Sequence, residues 1–250
     1  MSGHSKWSTI KRKKGAADAK RGKIFTRLIR ELSVAAREGG GDPDANPRLR
    51  TAVQMAKAAN MPSDNIDRAI KKGTGDLEGA SVEEIVYEGF GPYGVAVLME
   101  TMTDNRNRTA SEVRHVFTKH GGNMADPGAV AWMFDQKGVI QIERSKIPEE
   151  DLLEAVLEAG AEDVDTSDPD FYRVVCAVKD FQSVTGDLEK RGVPLGEAGL
   201  ERIPKTTKEL GEDEAEKFLK FYEALEDLDD VQKTFANFEI SDDIMEKLGS

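Results

Sequence analysis

Residues 138–203, GVIQIERSKIPEEDLLEAVLEAGAEDVDTSDPDFYRVVCAVKDFQSVTGDLEKRGVPLGEAGLERI, change hydrophobic period repeatedly, and the order of those changes decides the fold. Val139 to Glu143 reads as a strand, Pro148 to Ala159 as a helix, and Asp163 to Thr166 and Phe171 to Val178 as two more strands. Phe181 to Arg191 is helical again and Glu197 to Ile203 extended. The order is βαββαβ, which is the ferredoxin-like split unit.

The flanks of this stretch complete each other. Upstream, Glu84 to Phe90 and Val95 to Thr101 read as strands around the turn Gly91-Pro92-Tyr93-Gly94. A helix with Ala110, Val113, Val116 and Phe117 inward ends at Gly121-Gly122, and Ala129 to Phe134 reads as a further strand. Downstream, an acid-started helix, Glu212 to Leu228, presents Phe218, Tyr222 and Leu225 on one face, and Val231 to Glu239 is a last strand. That helix and strand have no partners of their own. The expectation is a discontinuous α+β domain of residues 76–136 and 205–240, with an acidic ferredoxin-like domain, 137–204, inserted in it and a tail over 241–250.

Three helices precede the linker-like Thr74 to Ser81. The first runs from Gly15 to Glu38 and stops at Gly39-Gly40-Gly41. The second begins at Asn46-Pro47, a cap followed by a pre-set first position. The third is capped by Ser63 and ended by Gly73. Residues 1–14 have no helical apolar period and carry a run of four like charges, which predicts a flexible arm. The fold class is therefore α+β: an N-terminal three-helix domain, residues 1–75, followed by two ferredoxin-like α+β domains, one inserted in the other.

Composition sets the outer limits. At 38% hydrophobic and 33% charged residues the chain has the material for packed cores. Its longest uninterrupted apolar run, Ala129 to Phe134, is far below the roughly 20 residues of a membrane helix, and the Lys-rich start has no apolar h-region. A single cysteine, Cys176, cannot form an internal disulfide, so the expected location is the cytoplasm.

The net charge of −12 conceals a strong segregation. Residues 1–75 hold 17 basic and 7 acidic side chains, or +10, and the remaining 175 hold 18 basic and 40 acidic, or −22. At about 100° per residue Lys20, Lys23, Arg27, Arg30 and Arg37 form one face of the first helix, opposite Phe25, Leu28, Ile29, Leu32, Ala35 and Ala36. Such a stripe is either a solvated helix face or a phosphate-binding one, and its continuity with Lys6, Lys11, Arg12, Lys13 and Lys14 favours phosphate. Trp7, between Lys6 and Lys11, is placed to stack on an unpaired base or to pack back on the bundle. Arg106 and Arg108, in the segment TDNRNRT (Thr103 to Thr109), are a second and weaker phosphate candidate.

Enzyme signatures are missing. Gly22-Lys23 is followed by Ile24, which fails the phosphate-loop pattern, and Gly73, Gly75 and Gly79 do not form GxGxxG. His4, His115 and His120 lack metal-spaced partners. Cys176 lies in VVCAV, the context of a buried strand thiol. No carboxylate pair stands out as an acid and base. The expectation is a non-enzymatic protein with no catalytic residue, metal or cofactor.

The segments GHSKW (Gly3 to Trp7), DAKRGKIFTRLIREL (Asp18 to Leu32), NPRLRTAVQMAKAANMPSDNIDRAIKKGTG (Asn46 to Gly75), YEGFGPYGVAVLMETMTDNRNRT (Tyr87 to Thr109) and the VAWMF…KGVI pair (Val130 to Ile140) closely resemble the YebC/PmpR family. The resemblance runs the length of the chain and is strongest before Gly138. It implies a three-domain cytoplasmic transcriptional regulator that binds DNA. A mitochondrial relative that activates translation, and bacterial relatives linked to ribosomes stalled on proline-rich sequences, imply the alternative of a ribosome-associated factor that binds messenger or ribosomal RNA. The family's contacting residues do not transfer one by one, so the thirteen candidates named above rest on charge. The expected partner is nucleic acid, with the ribosome or a basic protein as a second docking option at the acidic body, no membrane, and a monomeric chain.

Overall fold

The structure, a computed structural model, describes residues 17–78 and 81–249, apart from the side chains of residues 17–21, 246 and 249. The arm expected over residues 1–14 lies outside these. The chain is α+β, a helical region followed by sheets, and it divides into two compact units. The first comprises the described residues of Ile10–Ala131, Leu210–Ala236 and Asp242–Ser250. The second comprises Trp132–Glu209 and Asn237–Ser241.

In the first unit α1 (Ala17–Gly39), α2 (Pro47–Ala58) and α3 (Ser63–Thr74) enclose Leu28, Leu32, Ala35, Leu49, Ala52, Ala56, Ile66 and Ala69. Asn46 caps α2 as expected, its side chain accepting from the Leu49 N–H at 3.1 Å. The third helix departs from expectation at both ends. Ser63 is its first helical residue and Pro62 holds the N-cap position without a side-chain hydrogen bond. The helix passes through Gly73 and stops at Gly75, whose φ of 86° opens the left-handed conformation a Cβ disfavours. Gly73 has a different role: a Cβ there would lie 2.3 Å from the Ser33 carbonyl oxygen of α1. Its missing side chain is what lets the two helices approach.

The sheet of this unit has the order β3-β1-β2-β9, formed by Asn123–Ala125, Glu83–Phe90, Ala96–Thr103 and Val231–Ala236, antiparallel throughout. Helices α4 (Arg106–Lys119) and α7 (Glu212–Glu226) pack on each other through Phe117 and Phe221, whose rings meet edge to face at 5.0 Å. Phe117 also fills the space that a Cβ on Gly89 of β1 would need. The opposite face of β2 presents Met102, which joins Val34 of α1 and Val82 in a small cluster. The tail over 241–250 holds a last helix, α8 (Asp242–Gly249), and Lys247 ties it to Glu212 of α7 at 2.7 Å.

Of the stretch Ala129 to Phe134 only Phe134, which opens the following strand, is extended in a sheet. Glu88, 5% exposed on β1, accepts the backbone N–H of Gly128, Val130 and Ala131 at 2.7, 2.6 and 2.7 Å. Donors used this way cannot enter a ladder, so the chain turns here and passes through a single turn of 3₁₀ helix at Ala131–Met133. Short Asn123–Ala125 pairs with β1 instead. Glu88→Gln, which sets an amide donor against these donors, is expected to cost about 1–2 kcal/mol and to speed hydrogen exchange at residues 128–131 before the rest of the sheet.

The second unit reproduces the βαββαβ order. Its strands β4 (Phe134–Glu143), β5 (Asp163–Asp165), β6 (Phe171–Ala177) and β7 (Ala198–Pro204) lie in the order β5-β6-β4-β7, all antiparallel. Helices α5 (Glu149–Ala159) and α6 (Phe181–Lys190) cover a core of Ile140, Ile142, Leu152, Val156, Val174, Val184 and Leu188. The expected last strand, Val231 to Glu239, breaks at Asn237. Beyond it β10 (Phe238–Glu239) runs parallel to β8 (Lys208–Glu209) in this unit. Cys176 is buried in the core, where burial pushes its thiol up and away from nucleophilic use.

Candidate nucleic-acid interface

Lys6, Trp7, Lys11, Arg12, Lys13 and Lys14 lie outside the described residues, and so does the side chain of Lys20. The other members of the stripe on α1 are in place, and they are not an open face. The turn after α7, Glu226-Asp227-Leu228-Asp229-Asp230, receives them. Lys23 Nζ donates to Asp227 Oδ1 at 3.0 Å, and Arg27 Nη2 to the Glu226 carbonyl at 2.8 Å. Arg30 donates to the Asp229 carbonyl and pairs with Asp230 Oδ1 at 2.5 Å. Arg37 donates to the Val82 carbonyl.

These contacts are partly dry. Burial presses the titration of the Arg27 guanidinium below its ordinary range, against the pull of Glu226, Asp227 and Asp229, and its Nε has no hydrogen-bond partner among the described residues. Asp230 is 1% exposed and is the centre of the network. Arg108 Nη2 donates to both of its oxygens at 3.1 and 2.9 Å, Thr109 Oγ1 at 2.5 Å and Thr103 Oγ1 at 3.2 Å. Burial alone would raise this carboxyl. The Thr109 and Arg108 hydrogen bonds and the charges of Arg30 and Arg108 outweigh it and hold the group below its ordinary 3.8.

Asp230 thus binds α1, the end of β2 and the start of α4 to one another. A polar depression of about 480 Å³ opens along this seam, lined by Arg30, Asp104, Arg108, Glu112, Asp227 and Asp229. Arg48 of α2 makes a second tie, pairing with Glu31 and Glu38 of α1 at 2.8 and 2.7 Å and with Glu84 of β1 at 2.5 Å. Lys23, Arg27, Arg30, Arg37 and Arg108 are therefore structural cations as the chain is folded. Phosphates reach Lys23, Arg27 and Arg30 only by displacing the chain's own acids and carbonyls.

Arg106 stands differently. It is exposed at the start of α4, where Asn105 caps the helix by accepting the Arg108 N–H at 3.1 Å. Tyr87 lies beneath it and donates to the Arg106 carbonyl at 3.3 Å. Burial pushes the Tyr87 hydroxyl up, while the charges of Arg106 and of Arg114, one helical stretch further on, pull it down. Arg114 belongs to the same helix, beyond the TDNRNRT segment, and is exposed there. The acidic turn was visible as the run EDLDD, but nothing local connects it to α1. Among the described residues no cluster of His, Cys, Asp or Glu is arranged to hold a metal ion, and no helix is long and apolar enough to cross a membrane.

Comparison with known proteins agrees across the chain. Residues 5–76 match the family description "TACO1/YebC protein N-terminal domain", and residues 82–238 match "TACO1/YebC second and third domain". A protein of Persephonella marina called "Probable transcriptional regulatory protein" is 56% identical over 249 residues, covering 99% of this chain and 100% of its own. One of the same description from Trichlorobacter lovleyi is 60% identical over 248 residues, with the same coverage. Among solved structures, the crystal structure of the conserved hypothetical protein Aq1575 from Aquifex aeolicus is similar with a TM-score of 0.84. It is 51% identical and covers 90% of this chain and 93% of its own.

Proposed function

Because the chain belongs to the TACO1/YebC family, we propose that it is a non-enzymatic, cytoplasmic regulator that binds nucleic acid, acting on transcription through DNA. The observation that carries this reading is the segregation of charge: +10 in the first 75 residues against −22 in the rest. A polyanion is attracted by the basic head, and screening over a Debye length of about 8 Å weakens the repulsion from those acids of the body that lie further off than the ones paired with α1 and α2. The names of the relatives support a regulatory role.

The ion pairs of α1 favour a grip elsewhere on the head. With Lys23, Arg27 and Arg30 held by the 226–230 turn, the reading assigns the phosphate contacts chiefly to Lys6, Lys11, Arg12, Lys13, Lys14 and Lys20, whose side chains lie outside the described ones, and to the exposed Lys57, Arg68 and Lys71 of α2 and α3. Contacts of this kind set affinity and position and carry little sequence information. The affinity for a labelled duplex is expected to fall steeply with salt, with a log-log slope near −0.9 per phosphate engaged. Deleting residues 1–14 is expected to flatten that slope by several units. A complex that is salt-insensitive and strongly sequence-selective contradicts the reading, and a labelled RNA hairpin titrated in parallel decides between transcriptional and translational action.

A further inference from the structure

Helix α4 is the exception in the acidic body. Between Arg106 and Lys119 it carries Arg106, Arg108, Arg114 and Lys119 against one acid, Glu112. The other helices of residues 76–250 lean the opposite way: α5 has five acids and no base, and α7 has six acids and two lysines. The excess on α4 is not spread evenly around the helix. Thr109, Val113, Val116 and Phe117 are buried, and Arg108 and Glu112 flank the polar depression on one side.

The other flank is where the stripe lies. Asn107, Ser111, Arg114 and Thr118, spaced at four, three and four residues, fall within about 60° of one another on the helix surface. All four are exposed, and Arg106 and Lys119 stand exposed at the two ends of the helix. Thr118 Oγ1 donates to the Arg114 carbonyl at 2.9 Å and offers its lone pairs and methyl to the surface, while the others are donors of the kinds that meet phosphate and sugar oxygens: guanidinium, ammonium, amide and hydroxyl. No carboxylate interrupts the stripe. At about 1.5 Å per residue it is roughly 16 Å long, which matches about five phosphates of one strand at their axial spacing of about 3.4 Å.

We propose that this outer face of α4, formed by Asn107, Ser111, Arg114 and Thr118, with Arg106 beside it at the start of the helix, is a second binding site for a phosphodiester backbone. It lies on the acidic part of the chain, outside the first 75 residues. The inference rests on the nucleic-acid reading above and adds a location to it. Arg108 and Asp230 serve the site indirectly, by fixing the start of the helix that carries it.

The test is fluorescence anisotropy on the full chain with a labelled DNA duplex and a labelled RNA hairpin, each over a salt series. Arg106→Glu/Arg114→Glu is compared with Lys190→Glu/Lys217→Glu, which makes the same charge change on α6 and α7. A second variant, Asn107→Asp/Ser111→Asp, adds charge to the stripe with little change of shape. The α4 charge reversal is expected to weaken binding about tenfold or more and to lower the salt slope by roughly one per arginine. The aspartate pair is expected to weaken binding as well, and the control pair to leave it within twofold. Loss with one probe alone supports the site and identifies the nucleic acid it takes. If the intact protein binds but the α4 variants match it, the site is overturned while the nucleic-acid reading stands. Equal losses in the control also overturn it, because diffuse charge then accounts for the effect. If the intact protein binds neither probe, both inferences fall.

Discussion

Asp230→Ala is expected to lower the stability to unfolding by about 3–5 kcal/mol, the cost of removing one partner from a buried ion network. The side chain of Asp230 is 2% exposed, and that of its partner Arg30 is 15% exposed. Without the carboxylate Arg30 is left against protein in a poorly hydrated seam, and Thr103, Thr109 and Arg108 lose their common acceptor. Asp230→Asn keeps the volume without the charge and is expected to recover little. Urea unfolding of the two variants and the parent checks this.

The same group gives a pH dependence of known sign. Its folded carboxyl titrates below the ordinary 3.8, so its contribution is present above that value and is lost as pH falls from there through the folded titration. The parent is therefore expected to lose stability faster than Asp230→Asn below about pH 4, the range in which the unfolded carboxyl takes up its proton.

The second large effect is expected at Gly73. In an exposed helix Gly→Ala stabilises by roughly 1 kcal/mol through propensity alone. Here the new Cβ would sit 2.3 Å from the Ser33 oxygen and 2.9 Å from the Ala36 Cβ, so α1 and α3 must separate. Overpacking of this kind costs about 1–3 kcal/mol, and a clash with backbone belongs at the upper end. Gly73→Ala is expected to destabilise by about 2–3 kcal/mol net. Gly186→Ala, on α6 with nothing within 4 Å of its Cβ, is expected to stabilise by about 0.5–1 kcal/mol. Thermal melts of the pair read opposite signs.

What was legible in the sequence follows from how local each signal is. The βαββαβ order could be read because each period belongs to one contiguous segment, and neighbouring segments pair with one another. The cap at Asn46 depends on a residue three positions away. Ala129 to Phe134 misled because a continuous apolar run suits a strand, while the acceptor that claims its donors is Glu88, about 40 residues earlier. The pairing of β8 with β10 involves two residues on each side and no periodicity to read.

The candidate site shows the same limit. The amphipathic division of α1 was plain, with basic and apolar faces opposed. What lies against the basic face was not, since Glu226 is 199 residues from Arg27. A stripe of cations in a chain that also holds an acidic run has two possible partners, one of them internal. The internal partner takes Lys23, Arg27 and Arg30, and this moves the expected nucleic-acid contacts to the arm and to the outer face of α4.

That division also decides which variant tests binding cleanly. Reversing Arg27 and Arg30 would disturb the Asp230 network and confound binding with folding. The most direct measurement is ultraviolet crosslinking in living cells, recovering nucleic acid from the intact protein and from a variant with Lys11, Arg12, Lys13 and Lys14 changed to Glu. The account predicts nucleic acid on the intact protein and its loss from a variant that still melts like the parent. Equal recovery from both, or none from the intact protein, would contradict it.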